Sequence, residues 1–133
     1  MDKIIVKLQT YRQTLESSIA FLEECLSLES SRVSVGATIK AFEIAFEVAW
    51  KTIKSYSEKK GFNEIQGSAD AFRMGHKLGL YDEADSLVLL SAIEQRNFSV
   101  HTYHPEKAEQ IVVFSRIFLP VLKRLIEKLK EDK

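Results

Sequence analysis

The sequence predicts an all-α fold, an up-and-down four-helix bundle with one additional short helix, and three observations carry that expectation. Apolar residues recur at spacings of three and four along most of the chain, the period of helices with one buried face. Only 5 Gly and 2 Pro occur among 133 residues, too few for a loop-rich all-β fold. No stretch alternates apolar and polar side chains with period two, and no segment repeats at about 20 to 50 residues.

The first helix is expected roughly over residues 2–28, with Ile4, Leu8, Tyr11, Leu15, Ile19, Leu22 and Leu26 on one face. After Ser30, Ser31 and Gly36, a second stripe runs through Ile39, Phe42, Phe46, Trp50 and Ile53 and fades into Lys59-Lys60-Gly61, which are C-terminal signals. Residues 63–68 read as a loop, and a short helix follows over 69–76 with Ser68 as its N-cap, stopped near Gly79. Asp82 caps a fourth helix whose inward face is expected to carry Ala84, Leu87, Val88, Ser91 and Ile93. Pro105 marks the first turn of the fifth, with the stripe Ala108, Ile111, Ser115, Phe118, Leu122, Leu125 and Leu129. Pro120 lies inside that helix as a kink or as a solvent-side irregularity, and a bend is expected there.

A chain of 133 residues suits a single domain spanning 1–133 with one core. Nineteen basic and nineteen acidic side chains cancel, so no whole-molecule field draws in nucleic acid, and any RNA contact must come from a local patch. The single cysteine, Cys25, cannot form an internal disulfide, and no secretory leader pattern is visible, which together predict a cytoplasmic location. Every apolar run is broken well before the roughly 18 residues that a membrane span needs.

Polar chemistry concentrates in Glu94-Gln95-Arg96-Asn97-Phe98-Ser99-Val100-His101-Thr102-Tyr103-His104-Pro105-Glu106, at the junction of the last two helices. On an unbroken helix Arg96 and His101 would point about 140° apart. Either the helix ends between them or a second subunit completes the site. Pro105 favours the first option, because it disfavours helical geometry at His104 and leaves His101 and Tyr103 in a connecting loop. A loop entering a helix N-terminus can seat a phosphate, and Arg96 would add a two-pronged clamp. Histidine titrates near neutral pH, so His101 could move a proton during attack by an RNA 2′-hydroxyl without a metal, while Asn97 could hold an oxygen or orient the base. The simpler reading of the same residues makes Arg96 a surface ion-pair former and His101 a loop-packing residue.

Arg96 to Tyr103 forms an Arg-x-x-x-x-His-x-Tyr motif that resembles the signature of HEPN proteins in the HepT-like, or nucleotidyltransferase substrate-binding, branch. Upstream, Phe42-Glu43-Ile44-Ala45-Phe46-Glu47-Val48-Ala49-Trp50-Lys51 resembles the Phe-Glu-x-x-Phe-Glu-x-x-Trp-Lys helix of that branch, and Ala71-Phe72-Arg73 to Gly79-Leu80 resembles its short third helix. The resemblance implies a homodimer in which the Arg-His segments of two subunits face each other, acting in some members as a metal-independent endoribonuclease toxin. It also implies a partner, a minimal nucleotidyltransferase encoded nearby, that neutralises the toxin by adding AMP to the motif tyrosine, here Tyr103. Relatives commonly place Asn or Asp after that tyrosine, whereas this chain has His104 and Pro105, so the loop exit is expected to differ and His104 becomes a second titrating group.

The remaining candidates read more simply. Phe42, Phe46 and Trp50 are assigned to the core, with the indole N–H needing a partner. Glu43 and Glu47 are expected in solvated or interhelical ion pairs, Glu47 in register with Lys51. His76, His101 and His104 show no ligand spacing, so neither a metal nor any other cofactor is expected. The basic cluster Lys123, Arg124, Lys128 and Lys130 is expected to cap the final helix dipole and solvate its outer face. Three readings follow: a toxin-type ribonuclease, a non-catalytic substrate-binding subunit of a nucleotidyltransferase complex, or a structural helical adaptor.

Overall fold

A computed structural model describes residues 2–101 and 104–132 and contains five α-helices and one 3₁₀ turn. Helix α1 spans Lys3–Ser27 and is capped by Asp2, whose carboxylate accepts from the Ile4 amide at 2.8 Å. Helix α2 spans Arg32–Lys59 and starts before its apolar stripe does. A reciprocal cap explains the early start: the Ser34 amide donates to Ser31 Oγ at 3.0 Å, and the Ser31 amide donates to Ser34 Oγ at 2.8 Å. This offsets the cost of about 1 kcal/mol that Gly36 imposes inside a helix.

Helix α3 spans Ser68–Lys77, and its N-cap is Gly67, without a side-chain bond. The expectation that Ser68 caps it is therefore corrected by one residue: Ser68 is already helical. Helix α4 spans Glu83–Phe98, with Asp82 accepting from the Asp85 amide at 2.9 Å as predicted. The 3₁₀ turn covers Ser99–His101, and α5 spans Pro105–Glu131 with Pro105 in its first turn. Helix α5 passes Pro120 without interruption, and the proline ring is exposed, so the Arg116 carbonyl that loses its donor lies on the solvent side. Among the described residues no helix is long and apolar enough to cross a membrane.

Side-chain pairs between helices fix the directions. Lys7 meets Glu58 and Thr52 meets the Tyr11 carbonyl, so α1 and α2 are antiparallel. Arg12 donates to the Leu129 carbonyl at 3.0 Å while Glu23 pairs with Lys123, so α1 and α5 are antiparallel too. Asp85 meets Arg124 near one end of α4, and Lys107 lies over the Phe98 ring near the other, so α4 opposes α5. The four long helices therefore run up, down, up and down, with α3 inserted between α2 and α4. Phe42, Phe72, Phe118, Leu15, Leu22, Ile53, Leu89, Ile111, Leu122, Leu125 and Leu129 fill the centre, and the Phe42 and Phe118 rings meet edge-on at 5.3 Å. Every residue of the stripe expected on α5 is buried.

The expected inward face of α4 is wrong. Ala84 and Ser91 are exposed, Leu87 is 58% exposed, and only Val88 and Ile93 are half-buried. The residues that face inward are Asp85, Ser86, Leu89, Ala92, the half-buried Arg96 and, in the turn that follows, Ser99. Polar groups hold both ends of this line because partners on other helices satisfy them, so apolar periodicity alone selects the wrong face. Arg124, exposed as expected, also pairs with Asp85 through two hydrogen bonds of 2.9 Å. Lys128 and Lys130 do lie in the last turn of α5 as expected.

Candidate functional site

Helix α2 is the rigid wall of the site, because its apolar face is locked into the core at Phe42, Phe46 and Ile53. The helical period then leaves Glu43, Glu47 and Trp50 half-buried along one flank, facing the end of α4. Arg96 reaches across to that flank. Its Nη1 donates to Glu43 Oε2 at 3.2 Å and to Ser99 Oγ at 2.8 Å. Ser99 Oγ lies 2.6 Å from Glu43 Oε2, so carboxylate, hydroxyl and guanidinium close a ring of contacts. Arg96 Nε is buried 3.7 Å from Glu47 Oε1, near enough for charge attraction but too far for a hydrogen bond.

Glu47 ties in the aromatic neighbour. Its Oε2 accepts from the Trp50 indole at 3.0 Å, the partner the indole was expected to need, and lies 4.0 Å from Lys51 Nζ. Two carboxylates thus face two cations, and the cluster is locally neutral. The interhelical ion-pair role expected for Glu43 and Glu47 is present, with Arg96 as the shared cation. Among the described residues Nη2 of Arg96 has no hydrogen-bond partner.

Beside this network lies an open cleft of about 460 Å³, lined by Phe46, Glu47, Trp50, Ser68, Ile93, Arg96, Asn97 and Val100. Arg96 and Asn97 both line this cleft. His101 is placed differently. It ends the 3₁₀ turn and is exposed, so its expected position in a loop is corrected to a helical one. From Arg96 to His101 the chain keeps winding, at about 100° per residue in the α-helix and about 120° in the 3₁₀ turn, which turns the two side chains to nearly opposite sides. Within one copy Arg96 reaches α2, and His101 is exposed at the end of the turn.

The first turn of α5 offers less to a phosphate than expected. His104 has extended backbone, with φ −90° and ψ 115°, as a residue before proline should. Its carbonyl accepts from the Lys107 and Ala108 amides at 3.0 and 3.1 Å, and Pro105 has no N–H, leaving the amide of Glu106. A second depression of about 410 Å³ lies here, lined by His104, Pro105, Glu106, Lys107 and Gln110. Tyr103, the expected AMP acceptor, lies outside the described residues. Among the described residues no three His, Cys, Asp or Glu side chains gather closely enough to hold a metal ion.

Ser99 is the site residue that sequence reading missed. Its only signal is position: three residues after Arg96, on the side of the helix that Arg96 shares.

Comparison with known proteins places these features in a family. The family model described as nucleotidyltransferase substrate binding protein like matches residues 7–131. No curated protein matches the chain. Among solved structures, a crystal structure of a protein from Thermus thermophilus is similar at a TM-score of 0.82 and 26% identity, covering 87% of this chain and 98% of that one.

Proposed function

Because the chain belongs to the nucleotidyltransferase substrate binding protein-like family, we propose that it is a HepT-like toxin, a metal-independent endoribonuclease that works as a homodimer and is neutralised by AMP transfer from a minimal nucleotidyltransferase encoded nearby. The observation that carries this reading is the placement of Arg96, held against α2, and of exposed His101 at the end of the turn that follows α4, whose ideal winding opposes the two side chains. Such a pair makes a compact site when a second copy supplies the missing half, Arg96 of one subunit meeting His101 of the other.

In that site His101 takes the proton from an RNA 2′-hydroxyl as its oxygen attacks the adjacent phosphorus. Arg96, with Nη2 open, holds the phosphate oxygens that gain charge, and Asn97 at the cleft rim orients the nucleotide. The bond to the 5′-oxygen breaks, that oxygen is protonated by the second histidine of the dimer, and a 2′,3′-cyclic phosphate remains. In the silencing reaction the Tyr103 phenol attacks the α-phosphorus of ATP and pyrophosphate leaves. The added anionic nucleotide, two residues from His101, then crowds the histidine and repels an RNA phosphate.

A second reading, a non-catalytic substrate-binding subunit of the same nucleotidyltransferase, is favoured by the charge balance around Arg96, whose Nη1 is already engaged by Glu43 and Ser99. Incubation with the nucleotidyltransferase and ATP separates the two. The toxin reading expects a single AMP on Tyr103 by intact mass and peptide mapping, together with loss of RNA cleavage. An unmodified chain, or a modified one that cleaves as before, contradicts it.

A further inference from the structure

We infer that Glu43, acting with Ser99, is the positioning element of the Arg96 and His101 pair, so that one carboxylate on α2 sets both residues. The inference rests on the ribonuclease reading and deepens it.

Ser99 has one hydroxyl proton and two acceptors within reach, Glu43 Oε2 at 2.6 Å and the Arg96 carbonyl at 2.7 Å. The charged acceptor makes the stronger bond, and the hydroxyl lone pairs then face Arg96 Nη1 at 2.8 Å. Glu43 thus holds Nη1 twice, directly and through Ser99. Two contacts on one nitrogen, with Glu47 Oε1 3.7 Å from Nε, restrict the plane of the guanidinium.

The same serine is the first residue of the turn that ends in His101, and it is only 6% exposed. A single 3₁₀ turn has poor backbone hydrogen-bond geometry and little stability of its own. The Ser99 side chain on Glu43 ties the start of this turn to α2. Removing either partner loosens Arg96 and the start of the His101 turn together, a coupling that a plain interhelical ion pair would not have.

The test compares wild type, Glu43→Ala, Ser99→Ala and the double variant. It measures kcat and KM for RNA cleavage in EDTA, the melting temperature, and amide hydrogen exchange at Val100 and His101. Each single variant is expected to lower kcat by about 10- to 100-fold, the usual consequence of a small misplacement of reacting groups, while KM moves much less. The double variant loses no more than Glu43→Ala, because both act through one network. Amide exchange at Val100 and His101 accelerates in both single variants while the core of α2 keeps its wild-type rate. Wild-type kcat in Ser99→Ala, or losses that add and follow the melting temperature, overturns the inference. If wild type itself cleaves no RNA, the ribonuclease reading fails separately, and exchange decides the positioning: acceleration upholds it and wild-type rates overturn it.

Discussion

Arg96 Nη1 and Glu43 Oε2 lie 3.2 Å apart across α4 and α2, with Ser99 Oγ bridging the same two groups. A planar guanidinium can serve the carboxylate with one nitrogen and an RNA phosphate with another, and a lysine ammonium cannot reproduce that fork. Arg96→Lys is therefore expected to keep the fold and lose about 100- to 1,000-fold in kcat for RNA cleavage, the usual loss of a donor aimed at developing charge. Cleavage within a few-fold of wild type would show that Arg96 has only the ion-pair role.

Gly75 and Tyr81 lock α3 to the segment that enters α4. A Cβ built on Gly75 would stand 2.3 Å from Tyr81 Oη and 3.0 Å from Ile53 Cγ2, and that hydroxyl donates to the Phe72 carbonyl at 2.6 Å. Gly75→Ala must push the phenol out of its slot. It is expected to destabilise the chain by about 1 to 3 kcal/mol, the cost of an overpacked core, as read by urea denaturation.

Burial pushes the Tyr81 phenol well above the ordinary tyrosine range. Its folded-state pKa therefore exceeds the unfolded value of about 10. The associated stability is fully present below that pH and is lost progressively as pH rises above it, because only the unfolded chain ionises readily. Melting temperatures are expected to fall more steeply above that pH for wild type than for Tyr81→Phe. At neutral pH the variant should lose about 1 kcal/mol, the worth of one hydrogen bond. Parallel alkaline profiles would contradict the assignment.

Pro120 leaves the Arg116 carbonyl without its helical donor on an exposed face of α5. Pro120→Ala restores that bond. The gain is expected to be about 1 to 2 kcal/mol, after allowing for the entropy that proline removes from the unfolded chain. A rise in the denaturation midpoint with an unchanged slope checks it.

Helix α5 was legible residue by residue because its buried line is almost wholly apolar, from Ala108 to Leu129. Helix α4 was not, because Asp85, Arg96 and Ser99 face inward on partners that lie 39, 53 and 56 residues away in sequence, and no local pattern encodes them. The Ser31 and Ser34 cap starts α2 at Arg32, ahead of Gly36 and of the apolar stripe by which the helix is recognised. For the site, spacing alone implies that Arg96 and His101 diverge on a helix. Pro105 then suggested a loop where the chain instead keeps winding for one 3₁₀ turn. Ser99 escaped because its importance comes from Glu43, a contact that only the packing of α4 on α2 creates.

The most direct test of the central claim is RNA cleavage with EDTA present, comparing wild type with His101→Ala at matched folding. The account predicts cleavage by wild type that leaves 2′,3′-cyclic phosphate ends, and none by His101→Ala. Intact RNA with wild type, or equal cleavage by both proteins, would contradict it.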